Sequence, residues 1–176
     1  MKKETLYVAF STQKGGVGKT TFTVLVASYL YYLKGYNVAV VDCDYPQHSI
    51  SAMRKRDAEQ INGDDYYKQL AFHQFKALGK KAYPVLCSSP DEAIKTADEY
   101  LASAGSDYDV VFFDLPGTVN SEGVIHSLSG MDYIFTPISA DRVVLESSLS
   151  FAVAIHKLLV KNEACRLQGL HLFWNM

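Results

Sequence analysis

A lysine and two threonines follow three closely spaced glycines in the run QKGGVGKTT, residues 13–21. Glycines let the backbone curl so that successive N–H groups point into one concave space, where they can hold an anion. Lys19 can then reach the β and γ phosphates of a nucleotide, and the Thr20 hydroxyl can coordinate a Mg²⁺ ion that bridges the same oxygens. The run therefore predicts a polyphosphate-binding loop whose contacts come from Gly15, Gly16, Val17, Gly18, Lys19, Thr20 and Thr21.

Two other interpretations of this run fit less well. A dinucleotide-binding loop of the G-x-G-x-x-G type would need glycine where Thr21 stands. A plain glycine-rich turn would not account for the apolar run before the segment and the helical pattern after it. The run also departs from the plain phosphate-loop pattern, because Gln13 stands where its first glycine belongs and a second lysine, Lys14, follows.

Three aspartates follow two further apolar runs and could complete a magnesium site. Asp42 and Asp44 come after one run, and Asp114 comes directly after another. Buried strands that deliver carboxylates at their ends suit a metal ion that also binds phosphate oxygens. Pro116 and Gly117 then supply a turn that could respond to the γ phosphate. The alternative is that these carboxylates are merely solvated or cap the next helix.

The elements that must position these residues alternate between short apolar strands and amphipathic helices. The strand-like runs show no polar–apolar alternation, which is typical of strands buried on both faces of a parallel sheet. Helices between such strands must cross over, so the pattern predicts an α/β fold of the P-loop NTPase type, with a three-layer, doubly wound, mostly parallel sheet. The predicted strands cover residues 6–10, 38–41, 110–113 and 133–135, with further candidates at 83–87 and 170–174.

Apolar residues at helical spacing predict helices over residues 22–33, with Gly35 as the C-terminal stop, and over residues 141–161. Another helix is predicted to start at Ser89, with Glu92 completing a capping box. Residues 54–82 are predicted to form a helical insertion within the domain. Positively charged residues flank this insertion. We interpret them as a solvent-exposed rim, which we favour over a binding surface for a partner protein or nucleic acid.

Composition limits the classes of protein that remain. The 176 residues suffice for one domain with one core, and the net charge is −2. Hydrophobic residues make up 48% and charged residues 20%, which excludes a disordered chain and a basic coat for nucleic acid. The apolar runs are too short to span a bilayer and no secretory signal is present, so we expect a cytoplasmic protein without membrane contact. Three cysteines without a CxxC pair indicate neither disulfides nor a sequence-local zinc site.

The run QKGGVGKTT resembles the deviant Walker A motif of the ParA/MinD family of partitioning and positioning ATPases, and Gln13 is more like the ParA branch. The resemblance implies that Lys14 reaches across the interface of an ATP-dependent homodimer to the phosphates held by the partner subunit. Such a lysine would offset the negative charge of two nucleotides brought face to face. The family usually continues past residue 176, so the single domain is compatible with a C-terminally truncated fragment.

Other segments are similar to further motifs of this family. The segment with Asp42 and Asp44 resembles switch I, although Tyr45 is inserted before its proline. The resemblance implies that Asp44 orients the attacking water and that Asp42 holds water on the Mg²⁺ ion. The segment ending at Asp114 resembles a Walker B strand, which implies a place in the magnesium shell. Asn175 matches a family asparagine that reads the adenine base.

The resulting hypothesis is an ATPase switch that uses ATP and Mg²⁺, with Lys14, Lys19 and Asp44 as catalytic residues. The resemblance implies a stimulating partner protein and a role in the partitioning, positioning or transfer of a genetic element. The tyrosine-rich centre and short end of the chain resemble ParA-like proteins of conjugative transposons. DNA is a family partner that the sequence neither shows nor excludes, since only Lys161 and Arg166 follow Lys157.

Three alternatives stay open. An ATP-dependent reductase component of the nitrogenase iron-protein type shares the loop, but no cysteine closely follows Asp114. A relative of dethiobiotin synthetase would have no obvious use for Lys14. A non-hydrolysing nucleotide-binding module would bind ATP without releasing phosphate.

Overall fold

The computed structural model describes residues 4–117, 121–159 and 165–175 of the chain. The strands are β1 (Leu6–Phe10), β2 (Val38–Asp42), β3 (Val85–Cys87), β4 (Val110–Asp114), β5 (Tyr133–Ile138) and β6 (Gly169–Trp174). The helices are α1 (Lys19–Ser28), α2 (Ser49–Gly63), α3 (Asp65–Leu78), α4 (Ala93–Ser103), α5 (Glu122–Ser129) and α6 (Arg142–Leu159). The six strands form one parallel sheet in the order β3-β2-β4-β1-β5-β6.

Helices cover both faces of this sheet. Tyr7 and Ala9 of β1 belong to the apolar core under α4, α5 and α6, whereas Val8 and Phe10 belong to the core under α1 and α2. Neighbouring residues of a strand point to opposite faces, so each strand feeds both cores. β2 and β4 are buried along their whole length. The predicted α/β fold with a doubly wound parallel sheet is therefore confirmed.

The first helix changes its geometry before it ends. α1 stops at Ser28, and a π-helical segment, Tyr29–Leu33, fills the rest of the range predicted as one helix. Gly35, at a φ of +78°, then follows the end of the helix as the predicted C-terminal stop. π-helical turns are rare and often mark functional positions. This one directs Tyr31 into the core and places the Tyr32 ring 5.8 Å from that of Tyr83.

The predicted helix start at Ser89 is wrong. α4 begins at Ala93, and its N-cap residue, Glu92, makes no side-chain capping bond. The Glu92 N–H instead donates to the Ser89 carbonyl in a turn, 3.3 Å away. The Pro90 carbonyl of this turn accepts a hydrogen bond from the Ser127 hydroxyl of α5. Contact with α5 therefore fixes the backbone where the sequence suggested a capping box.

Two helices, α2 and α3, occupy the region predicted as a helical insertion. They form a hairpin in which α3 buries none of its side chains and exposes Tyr66 and Phe72. On the same side of the sheet, a separate apolar groove of about 730 Å³ runs past Phe10, Phe135 and Phe173. Within the described ranges, no helix has both the length and the apolar character needed to cross a membrane.

Candidate functional site

The predicted phosphate loop connects β1 to α1 and has the backbone shape that its glycines allow. Gly16 has a φ of +76° and Gly18 a φ of +92°, values that residues with side chains rarely adopt. Gly18 is the N-cap of α1, and no side chain caps that helix. The first N–H groups of α1 therefore have no partner within the helix. Together with the helix dipole they suit a bound anion.

Lys19 lies between the loop and the carboxylates of the sheet. Its Nζ donates to the carbonyl of Lys14 at 3.4 Å. Burial lowers the pKa of Lys19, whereas the negative charges of Asp114 and Asp44 oppose that shift. The ammonium group is thus placed to link bound phosphate oxygens to the acidic residues.

Asp42 and Asp114 are neighbours across the β2–β4 ladder, where they pair in register. Both side chains are buried, with relative exposures of 0% and 1%. The Asp42 carboxylate accepts a hydrogen bond from the Ser51 N–H at 2.9 Å. By contrast, neither carboxylate oxygen of Asp114 has a hydrogen-bond partner in the described part of the chain.

The unpartnered carboxylate of Asp114 is the feature that most clearly indicates a cation. Burial raises the pKa of Asp114 to about 6, and the charges of Asp42 and Asp44 add to this rise. The nearby Thr20 hydroxyl and the charge of Lys19 act against it, although the hydroxyl does not reach hydrogen-bond geometry with the carboxylate. A buried carboxylate without hydrogen bonds is costly, and a bound cation would remove that cost. Thr20 and the two aspartates offer the oxygen ligands that Mg²⁺ prefers. The residues present therefore fit a magnesium ion.

Protein side chains would fill only part of the magnesium shell. Among residues 4–117, 121–159 and 165–175, no cluster of three His, Cys, Asp or Glu side chains is arranged to hold a metal. Phosphate and water oxygens would have to complete the coordination, which is the usual situation for Mg²⁺ at nucleotide sites.

Asp44 lies at the mouth of the site, in the loop between β2 and α2. Its carboxylate accepts a hydrogen bond from the Ser49 hydroxyl at 3.0 Å, and its carbonyl accepts one from the His48 N–H at 2.8 Å. His48 has a φ of +44°, and its Nδ1 is 3.1 Å from the Asp42 carbonyl oxygen. The start of α2 therefore holds Asp42, at the end of β2, and Asp44, in the loop that follows.

Gly117 approaches the phosphate loop more closely than the sequence indicated. A Cβ atom at this position would lie 3.1 Å from Lys19 Nζ and 3.7 Å from the Gly15 nitrogen. The turn after β4 therefore contacts the loop where only hydrogen fits easily. The only sign of this contact in the sequence is the glycine after Asp114-Leu115-Pro116, and that pattern by itself predicts only a turn.

Gly117→Ala is expected to displace the Lys19 ammonium and to weaken binding of a magnesium nucleotide about 10- to 100-fold, the usual effect of losing one charged hydrogen bond. Titration of a fluorescent ATP analogue measures this affinity. Gly105→Ala is the matched control, because its added Cβ would meet nothing within 4 Å. Equal affinities of the two variants would contradict the proposed contact.

The remaining predicted site residues surround the same loop. The Asn175 side-chain amide donates to the Val17 carbonyl at 3.2 Å. A cavity of about 160 Å³ beside it is also lined by Gly16 and Pro137. Lys14 is half-buried on the α6 side of the loop. The pKa of Asp141 is lowered mainly by a hydrogen bond from the Val144 N–H, and the charge of Lys14 contributes to the same shift. Gly15 and Thr21 are exposed on the loop and on the first turn of α1.

Comparison with known proteins identifies the family. Residues 8–164 match the model of the CobQ/CobB/MinD/ParA nucleotide binding domain. The chain belongs to this family. Its phosphate loop, β2, β4 and α5 all lie within the matched range of this CobQ/CobB/MinD/ParA domain.

Individual relatives of this ParA/MinD-type domain include partitioning proteins. The chain is 26% identical over 175 residues to the chromosome-partitioning ATPase Soj of Thermus thermophilus, covering 93% of this chain and 67% of Soj. A putative plasmid partition protein from Borrelia burgdorferi B31, bound to AMPPNP, shares the fold with a TM-score of 0.63 and 19% identity, over 98% of this chain and 75% of that one. The pNOB8 ParA bound to nonspecific DNA gives a TM-score of 0.60 and 19% identity, over 89% and 62% of the two chains.

Proposed function

We propose that this protein is a Mg²⁺-dependent ATPase that switches between nucleotide states in the partitioning, positioning or transfer of a genetic element. The single observation behind the proposal is the buried, unpartnered carboxylate of Asp114, which lies in register beside Asp42 and near Lys19. This arrangement supplies cation ligands and a phosphate counter-charge in one place.

Each residue has a role in the proposed hydrolysis. The loop N–H groups and Lys19 bind the β and γ phosphates and stabilise the charge that develops on them. Thr20 and Asp114 would hold Mg²⁺ and Asp42 would hold water on it; a bound Mg²⁺ would supply positive charge for the phosphate oxygens. Asp44 accepts a hydrogen bond from the attacking water and orients it toward the γ phosphate. Asn175 contacts the adenine base.

The relatives support this assignment. Soj is a chromosome-partitioning ATPase, and its likeness covers 93% of this chain. The chain spans 67% of Soj and 62% of pNOB8 ParA, so the activity and partners of those whole proteins are carried over here as proposals. Nonspecific DNA is one such partner, and gel-shift titration across salt concentrations, with and without ATP, tests for it.

ATP is proposed to close a homodimer in which Lys14 binds the phosphates of the partner subunit. We expect Lys14→Ala to prevent nucleotide-dependent dimer formation while lowering nucleotide affinity of the monomer by less than about tenfold, because the loop glycines and Lys19 remain. Analytical ultracentrifugation with Mg²⁺ and AMPPNP measures the dimer. Lys55→Ala, an exposed lysine of α2, is the control. Dimer formation by the Lys14 variant would contradict the assigned role.

Phosphate release from ATP, with and without Mg²⁺, tests the proposed activity directly. Binding without phosphate release would favour a non-hydrolysing nucleotide module. Iron with visible absorbance in the purified protein would favour a reductase component.

A further inference from the structure

A second cleft lies apart from the phosphate site, between α1, the π-helical segment and the α2–α3 hairpin. We call it the hairpin cleft. It encloses about 450 Å³, a size typical of pockets for small molecules. Its apolar walls include three aliphatic and three aromatic side chains, namely Val24, Ile50, Met53, Tyr32, Phe75 and Tyr83.

The local backbone explains why this cleft stays open. Tyr32 lies in the π-helical segment, and its ring centre is 6.4 Å from that of Phe75 and 5.8 Å from that of Tyr83. The three rings come from α3, from the π-helical segment and from the chain before β3. α2 packs on the sheet through Ile50, whereas α3 buries none of its side chains, so the space beneath α3 stays open. Tyr83 is buried, so a flat ligand would lie against the partly exposed rings of Tyr32 and Phe75.

One cation faces this aromatic space. The Arg54 guanidinium lies 4.5 Å from the centre of the Tyr83 ring, and one of its N–H groups donates to the Tyr83 carbonyl at 3.1 Å. Its other N–H groups have no partner in the portion of the chain that the structure describes. Burial raises the pKa of Tyr32, and the Arg54 charge acts against that rise, so the two side chains share one environment.

The other polar groups of the cleft do not cancel this charge. Asn62 and Gln74 are neutral amides of the wall. Asp57 also lines the cleft, but its carboxylate accepts hydrogen bonds from Arg56, at 3.4 and 3.2 Å. Arg54 is therefore the group available to an incoming anion, and a guanidinium binds carboxylates in a two-pronged fashion.

We propose that the hairpin cleft binds a small planar aromatic carboxylate, with its ring against Tyr32 and Phe75 and its acid group on Arg54, which Tyr83 holds in place. The apolar groove on the same face of the sheet is a poor competitor for such an anion. That groove is lined by apolar side chains and by Asp109, and within the described residues no Lys, Arg or His lines it.

The two helices that flank the cleft also hold the phosphate site. α1 begins with Lys19 and lines the cleft with Val24, while α2 begins beside Asp44 and lines it with Ile50. A ligand that changes the spacing of α1 and α2 would change the distance between Lys19 and Asp44. By linkage, the ligand and a nucleotide would then alter each other's affinity by the same factor. This coupling rests on the proposed nucleotide site, whereas ligand binding does not.

The test uses the whole chain without nucleotide and two probes of equal shape, naphthalene-2-carboxylate and its neutral carboxamide. Isothermal titration should show that the carboxylate binds at least about tenfold more tightly than the amide. Arg54→Gln should remove this preference, whereas Lys55→Gln, which changes an exposed side chain of α2 that does not line the cleft, should change it less than about twofold. Circular dichroism confirms that each variant is folded.

A second variant keeps the test decisive if Arg54→Gln does not fold. Ala71→Trp, on the cleft side of α3, should fill the cleft and abolish binding of both probes there while Arg54 stays in place. Failure of the carboxylate to bind, equal affinity for both probes, or unchanged binding in the Ala71 variant would each overturn the proposal. Repeating the titration with Mg²⁺ and AMPPNP measures the coupling separately.

Discussion

Lys19→Ala is expected to lower the rate of ATP hydrolysis at least about 10²-fold, the effect of removing one preorganised group that stabilises transition-state charge. Lys19 interacts with the loop carbonyl of Lys14 and with the charges of Asp114 and Asp44, whereas the side chain of Lys14 is proposed to serve the partner subunit. Phosphate release at saturating ATP and Mg²⁺ gives kcat, and nucleotide titration gives the affinity.

The same substitution should not unfold the protein. Burial lowers the pKa of Lys19, which means that the fold disfavours its charge, and alanine removes that disfavoured charge. Alanine also removes the positive charge that offsets the buried Asp114 carboxylate, so the two effects oppose each other and the melting temperature of the nucleotide-free variant should stay within about 4 °C of the parent's. Lys55→Ala serves as the control for both measurements. Full hydrolysis by the Lys19 variant would show that the chemistry does not occur at this loop.

Asp114→Asn is expected to act in opposite directions on activity and stability. Loss of the carboxylate should abolish Mg²⁺-dependent hydrolysis and the stabilisation that Mg²⁺ and nucleotide give the parent. Without ligands, however, the variant should be more stable, because the parent buries a charge whose oxygens have no hydrogen-bond partner among the described residues.

The pH dependence of the parent follows from the same carboxylate. Its pKa rises from 3.8 to about 6 in the fold, a shift worth about 3 kcal/mol. Between those values the folded state binds more protons than the unfolded state, so stability falls as pH rises through this range and stays lower above it. Asp114→Asn should remove this fall and raise the melting temperature at pH 7 by about 6–12 °C.

Thermal melts at several pH values between 4 and 8 measure the fall in stability of the parent with rising pH and its loss in the Asp114→Asn variant. Asp65→Asn is a suitable control, since Asp65 is exposed and pairs only with Lys68 among the described residues. We attribute the loss of stability at neutral pH to burial of the Asp114 carboxylate. A variant less stable than the parent at pH 7 would contradict this explanation, as would the same dependence of melting temperature on pH in both proteins.

Much of the phosphate loop could be predicted because its signal is local. Gly16 and Gly18 adopt positive φ values that their neighbours in the sequence already suggested, and Lys19 begins a helix that its apolar spacing indicates. The family and the parallel sheet followed from the same short segments together with strands that lack alternation.

Other parts depended on contacts between distant residues. The sequence around Asp114 does not indicate that β4 lies between β1 and β2. This strand order, however, is what brings Asp114 beside Asp42. Contact with α5 overrides the capping pattern at Ser89. The π-helical turn at Tyr32 and the cleft beneath the hairpin likewise result from packing that no local pattern records.

The in-register pairing of Asp42 with Asp114 also limits how the gene can change in length. Side chains alternate along a strand, so losing or gaining one codon within β2 or β4 would turn the aspartate to the wrong face or move it off its rung. A change of one codon should be tolerated better at the exposed turn between α2 and α3, where a Cβ added at Gly63 would meet nothing within 4 Å. We therefore expect related chains to differ in length at that turn more readily than within either aspartate-bearing strand.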